Sequence, residues 1–237
     1  MVDPARADAQ EGRERSIRGA WSYNPVTGEL GHLLVAPEDT GGRRIEVELW
    51  LQPGAAVVGA HTHDSLVERF EVLEGQVTFQ VGDEERAVGP GDGVAEVGAG
   101  VVHDWWNSGE EIARVRVEVE AVSDAPGEPA ARFVSMIEAA WSLGALGKTD
   151  EKGMPGPLWL GAIGHEYRDV IRFTKPPRAV QAIVFPVLAA LARASGRDPL
   201  APELHGPGAP LEIDDPGEGI EELLARRVDA RAARGRG

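Results

Sequence analysis

Between Arg18 and Val122 apolar and polar residues alternate with a period of two. The stretch "RRIEVELWL" places Ile45, Val47, Leu49 and Leu51 on one face and Glu46 and Glu48 on the other. The stretch "QVTFQVG" repeats this with Val77, Phe79 and Val81, and "IARVRVEVEAV" sets Val115, Val117 and Val119 against Arg114, Arg116, Glu118 and Glu120. Alternation of this kind predicts strands with one dry and one wet face. Turn signals separate them: "TGG" at 40–42, "QPG" at 52–54, "VGDEE" at 81–85 and "GPGDG" at 89–93. Many short strands so spaced predict an antiparallel sandwich or barrel.

The period changes after "SDAPGEPA" (123–130), a Pro/Gly/acidic linker. Phe133, Ile137, Ala140 and Trp141 recur at helical spacing, "PLWLGAIGHEYRDVIRF" follows a proline-rich start, and "PPRAVQAIVFPVLAALARA" opens with prolines suited to a first helical turn. Three helices are expected. The chain divides into a disordered N-terminus (1–15), a β-barrel (16–124), a helical extension (125–196) and a flexible acidic, Pro/Gly-rich tail (197–237) with a short helix.

The net charge of −15 repels phosphate backbones and anionic lipid, so nucleic acid is not an expected partner. The charged N-terminus has no apolar core and does not read as a signal peptide, which leads to the expectation of a cytoplasmic protein. Residues 179–194 are strongly apolar but shorter than the ~20 residues of a membrane-spanning helix. They also carry Gln181, Pro186 and Arg193, so a buried or interfacial helix is expected and no membrane span. The chain has no cysteine, so any metal must be held by nitrogen and oxygen.

Two regions offer such ligands. In "GAHTHDSLVERFEVLEG", His61 and His63 are two apart and aim to one side if the segment is extended. Glu68 shares a strand face with Phe70 and Val72, and a carboxylate on an apolar face is costly unless something pairs with it. Downstream, "GVVHDWWN" supplies His103 beside Trp105 and Trp106. Three imidazoles and a carboxylate suit one divalent first-row metal with positions left open: iron, manganese, nickel, zinc, cobalt or copper. Glu68 is the candidate catalytic group, because a carboxylate that leaves a metal can act as a base. Phe70, Phe79 and Trp105 are candidate substrate-pocket residues. Of the other histidines, His165 sits four before Asp169 without an HExxH pattern, and His32 and His205 are isolated; none is assigned a role. Arg114 and Arg116 read as a solvated sheet face.

The spacing of these ligands resembles the cupin superfamily. Its first motif, G-x5-H-x-H-x3-4-E-x6-G, matches from His61 through Glu68 to Gly75. Its second, G-x5-P-x-G-x2-H-x3-N, resembles Gly91 to Asn107, with Gly98 at the proline position and one extra residue before His103. "NPVTGE" and "HEYRDVIRF…PPRAVQ" are similar to bacterial single-domain cupins with a helical C-terminal extension. The resemblance implies a mainly β fold, a jelly-roll barrel (double-stranded β-helix) followed by an α-helical segment. It also implies metal ligation by His61, His63, Glu68 and His103, and a homodimer. Function stays open among three classes: a dioxygenase-like metal-dependent oxygenase acting on a small molecule in the cavity, a metal-dependent isomerase or cyclase, and a non-catalytic ligand-binding or sensing module. The fold does not choose between them.

Overall fold

The computed structural model describes residues 17–56 and 59–224; the expected disordered N-terminus and most of the expected C-terminal helix lie outside them. Ten strands precede the first long helix: β1 (Trp21–Asn24), β2 (Glu29–Val35), β3 (Arg44–Leu51), β4 (His61–Thr62), β5 (Leu66–Glu74), β6 (Val77–Val81), β7 (Glu84–Val88), β8 (Val94–Val97), β9 (His103–Asn107) and β10 (Ala113–Ala121). Helices α1 (Pro129–Ala145), α2 (Pro157–Glu166) and α3 (Arg178–Ala194) follow, with the short strands β11 (Arg172–Phe173) and β12 (Glu212–Ile213) on either side of α3. Two antiparallel sheets form, in the orders β12-β1-β2-β3-β10-β5-β8 and β11-β4-β9-β6-β7.

The period-two pattern sets what each face touches. In β10, Val115, Val117 and Val119 are buried in the core. The intervening residues form an ion-pair mesh with neighbouring strands: Arg114 and Arg116 both reach Glu48, and Arg69 reaches Glu96, Glu118 and Glu120. The wet face is thus a network of paired charges. Gly75 ends β5 with φ of 75°. A Cβ there would lie 2.8 Å from Ala113 Cα, so the turn into β6 requires glycine.

The extension is packed onto the barrel. On α1, Val134, Met136, Ala139, Trp141 and Leu143 are buried, and Trp141 lies over Gly31 on β2. The second helical prediction is cut short: α2 stops at Glu166, and Arg172–Phe173 becomes a strand paired with β4. Tertiary pairing overrides local pattern here, because the two-residue β4 otherwise lacks a neighbour on that edge. On α3, Phe185, Ala189 and Ala192 are buried, while Ile183, Val187 and Leu191 are exposed, so this helix is only half covered. After Gly196, where the composition reads as a polar tail, Leu200, Leu204 and Leu211 are buried and Trp21 pairs with Ile213. Leu224 packs with Trp21, Leu30 and Trp50 on the outer sheet face, and its carbonyl accepts a hydrogen bond from Gln52. Sparse leucines suffice because a barrel already supplies the apolar surface. Among the described residues no helix is long and apolar enough to cross a membrane.

Candidate metal centre

The four sequence-predicted ligands converge. His61 lies in β4, directly paired with His103 of β9, and His63 follows β4. Glu68 comes from the opposite sheet, in β5 between β8 and β10. The cluster therefore bridges the two sheets across the barrel interior. One ligand atom from each residue lies within 4.8 Å of all the others, and all four residues are buried. His61 Nε2 is 3.0 Å from His63 Nε2, and Glu68 Oε2 is 2.8 Å from His103 Nε2 and 3.6 Å from His63 Nε2. Atoms that share one first-row ion at about 2.1 Å lie roughly 3–4 Å from each other; the three short spacings fall close to that range, and the widest of the cluster, up to 4.8 Å, would close slightly on a bound ion.

Backbone carbonyls set the orientation of every imidazole. His61 Nδ1 is 2.7 Å from the Gly59 carbonyl, His63 Nδ1 is 2.8 Å from that of Val170, and His103 Nδ1 is 3.1 Å from that of Val101. A carbonyl only accepts, so each Nδ1 carries the proton. Each Nε2 is thereby directed into the cluster as a potential ligand. Two consequences follow. The facing Nε2 atoms of His61 and His63 oppose lone pair to lone pair, which is unfavourable without a proton or cation between them. Glu68 Oε2 and His103 Nε2, though close, are not aligned as donor and acceptor, and both are buried without a hydrogen-bond partner. Buried orphan atoms of this kind call for an explanation, and one shared cation satisfies all of them.

The electrostatics agree at three of the four residues. Burial pushes the His61 imidazolium down, and neighbouring His63 and His103 add to this, leaving its pKa at about 3. Burial likewise dominates at His63 and lowers it despite Glu68. At Glu68 burial opposes ionisation, but the surrounding imidazoles overcome it and hold the carboxyl at about 2. At His103 burial is outweighed by the Glu68 carboxylate, which raises the imidazole. Neutral His61 and His63 beside an ionised Glu68 are the protonation states that metal ligation needs.

The extra residue of the second motif falls between Gly91 and Gly98, so the spacing from Gly98 to His103 is undisturbed. Gly100, at φ of 79°, donates its N–H to the His63 carbonyl at 2.7 Å, which ties the turn before His103 to the segment carrying the other two histidines.

Next to the cluster is a cavity of about 110 Å³, lined by His61, Glu68 and Trp105 together with Val47, Leu49 and Val117 of the sheets and Phe133, Ile137, Glu138 and Trp141 of α1. Of the predicted pocket residues, Trp105 lines this cavity. Phe70 and Phe79 do not; they pack against Trp105 and each other at 5.0–5.9 Å between ring centroids, as core beneath it. Trp106 points the other way and is half-buried.

The extension contributes groups that sequence reasoning did not assign to the site. Phe133 packs edge-on against His63, with ring centroids 5.5 Å apart. The Val170 carbonyl orients His63, and Phe173 of β11 pairs with His61. Glu138 is buried, lines the cavity, and meets the equally buried His205 at 3.2 Å. His205, isolated in sequence, thus has a partner 67 positions away. An acid and an imidazole on apolar surroundings were the available signals, but nothing local linked them. His32 stacks on Trp21 with ring centroids 4.1 Å apart, a packing role.

Residues 48–120 match the family model described as the cupin domain. No curated protein matches the sequence significantly. Among solved structures, the cupin domain of Schizosaccharomyces pombe Cnp3 is 18% identical with a TM-score of 0.36, over 40% of this chain and 66% of that one. A predicted oxalate decarboxylase from Thermotoga maritima is 19% identical with a TM-score of 0.39, over 46% and 95%. The cupin domain of an XRE family transcriptional regulator from Enterobacter cloacae is 20% identical with a TM-score of 0.34, over 39% and 96%.

Proposed function

We propose that this chain, a cupin-superfamily protein through residues 48–120, holds one divalent transition metal on His61, His63, Glu68 and His103 and acts as a metal-dependent oxygenase on a small organic molecule in the barrel cavity. The observation that carries the reading is the set of three imidazoles whose Nδ1 atoms are each tied to a backbone carbonyl. That leaves three Nε2 atoms and one carboxylate aimed at a single buried point beside an apolar cavity. A redox-active ion bound there would supply a site for dioxygen and one-electron chemistry.

The chain's own residues do the rest. Val47, Leu49, Val117, Phe133 and Trp141 exclude water and select an apolar substrate. At about 110 Å³, the cavity is smaller than the ~150 Å³ that accommodates benzene. A compact group therefore fits as the helix stands, and a larger substrate requires α1 to shift. Glu68 would help hold the metal and, beside the cavity it lines, would be the group placed to accept a proton.

The test is metal content by mass spectrometry on protein purified without tag or chelator, followed by oxygen consumption across a panel of small apolar substrates. Stoichiometric iron, manganese or copper with substrate-dependent oxygen uptake supports the proposal. Absence of metal even after reconstitution refutes it.

Glu138 favours a second reading, a metal-dependent isomerase or cyclase that consumes no oxygen. A buried acid lining the same cavity supplies the second acid–base group that proton-transfer chemistry requires. Under this reading Glu138→Gln keeps the metal and loses turnover. Metal and ligand binding with no turnover under either condition would leave a sensing or carrier module.

A further inference from the structure

We infer that the groove between α2 and α3 is a binding site for a small organic carboxylate, separate from the metal cavity. The groove, of about 270 Å³, is lined by Arg168, Arg172 and Arg178 together with the apolar side chains of Ile171 and Phe185. Ile171 also lines the metal cavity, so its side chain is part of the wall between the two.

Charge makes the groove unusual in this molecule. The chain carries a net charge of −15, yet residues 167–197 contain six lysines and arginines and a single acid, Asp169. Asp169 faces away from the groove, held by both nitrogens of the Arg132 fork at 2.6 and 2.8 Å. One carboxylate, Asp64, is shared between two of the groove's arginines, Arg172 at 2.5 Å and Arg178 at 3.5 Å. Arg168 bonds the carbonyl of His165, and no carboxylate of the described residues pairs with it. Three guanidiniums therefore meet one carboxylate, and most of their N–H donors remain available.

Planar guanidinium forks match a carboxylate with paired N–H···O bonds. Phe185 and Ile171 offer apolar surface to the body of such a ligand, which a bare inorganic anion would leave unused. Arg178 is exposed and can swing onto an incoming ligand.

The experiment is calorimetric titration of the intact protein with benzoate, and separately with inorganic phosphate, at low and high salt. Benzoate is expected to bind, more weakly as salt rises. Arg168→Gln and Arg178→Gln should each weaken it about tenfold, as expected for loss of a charged hydrogen-bond partner. Asp64→Asn removes the competing carboxylate and should tighten binding, a gain that misfolding cannot imitate. Metal content unchanged from wild type serves as the folding control for the arginine variants. No benzoate binding, equal affinity in the arginine variants, or no gain in Asp64→Asn would each overturn the site. Phosphate binding as tight as benzoate would overturn the carboxylate assignment.

Discussion

Replacing Glu68 by glutamine tests the electrostatics of the centre directly. Glutamine has the shape of the protonated carboxyl and cannot ionise. In the folded protein the three imidazoles hold Glu68 at about 2, against an ordinary value near 4.3. At about 1.4 kcal/mol per pKa unit, the ionised form is favoured by folding to roughly 3 kcal/mol. Glu68→Gln should therefore lower the stability of the metal-free protein at pH 7 by up to roughly that amount. The loss comes through its pairing with His103, whose imidazole the carboxylate raises, since His61 and His63 are neutral at this pH. For a chain of this size the loss corresponds to a Tm lower by about 6–12 °C. Urea unfolding of chelator-treated protein, followed by tryptophan fluorescence, measures it. The same variant should lose most of its metal, since the sole anionic ligand is gone. A metal-free variant within about 0.5 kcal/mol of wild type would show that Glu68 is not held by the imidazoles as described. Retention of stoichiometric metal would show that the carboxylate is not a ligand.

Further outcomes follow from the same geometry. His61→Ala with His103→Ala should abolish metal binding, read by mass spectrometry, while leaving the barrel folded by circular dichroism. His61 and Glu68 both bind protons less readily folded than unfolded. Their stabilisation is present above their unfolded values of about 6.5 and 4.3 and is lost as pH falls towards about 3 and 2. The urea midpoint of metal-free protein should thus drop on acidification through this window, the raised His103 partly offsetting it; a midpoint that rises would refute the assignment. Trp141→Ala removes a buried ring from the cavity wall and should cost about 3–5 kcal/mol, with ligands bulkier than the wild-type cavity gaining access. Gly75→Ala should destabilise by more than about 1 kcal/mol, because its Cβ meets Ala113 backbone at 2.8 Å.

Much of this molecule was legible from residue order alone, for a physical reason. Strand faces follow from period two, so Val115, Val117 and Val119 had to lie opposite Arg114, Arg116 and Glu118 wherever the strand was placed. His61 and His63 share a side by the same geometry, and Glu68 on an apolar face needed a counter-charge. What pattern could not convey is which distant segment completes a local one. The fate of residues 167–173 was decided by the unpaired edge of β4, and that of Leu204, Leu211 and Ile213 by apolar surface already formed by the barrel. Phe70 and Phe79 were indistinguishable in sequence from cavity residues; only the packing of Trp105 over them placed them beneath the floor. The Glu138–His205 pair and the Val170 carbonyl behind His63 are likewise products of chain return. Spacing along a strand encodes direction, so the ligands could be named from sequence. The cavity's walls and its second acid depend on contacts between segments that share no local signal, and only the folded chain determines those.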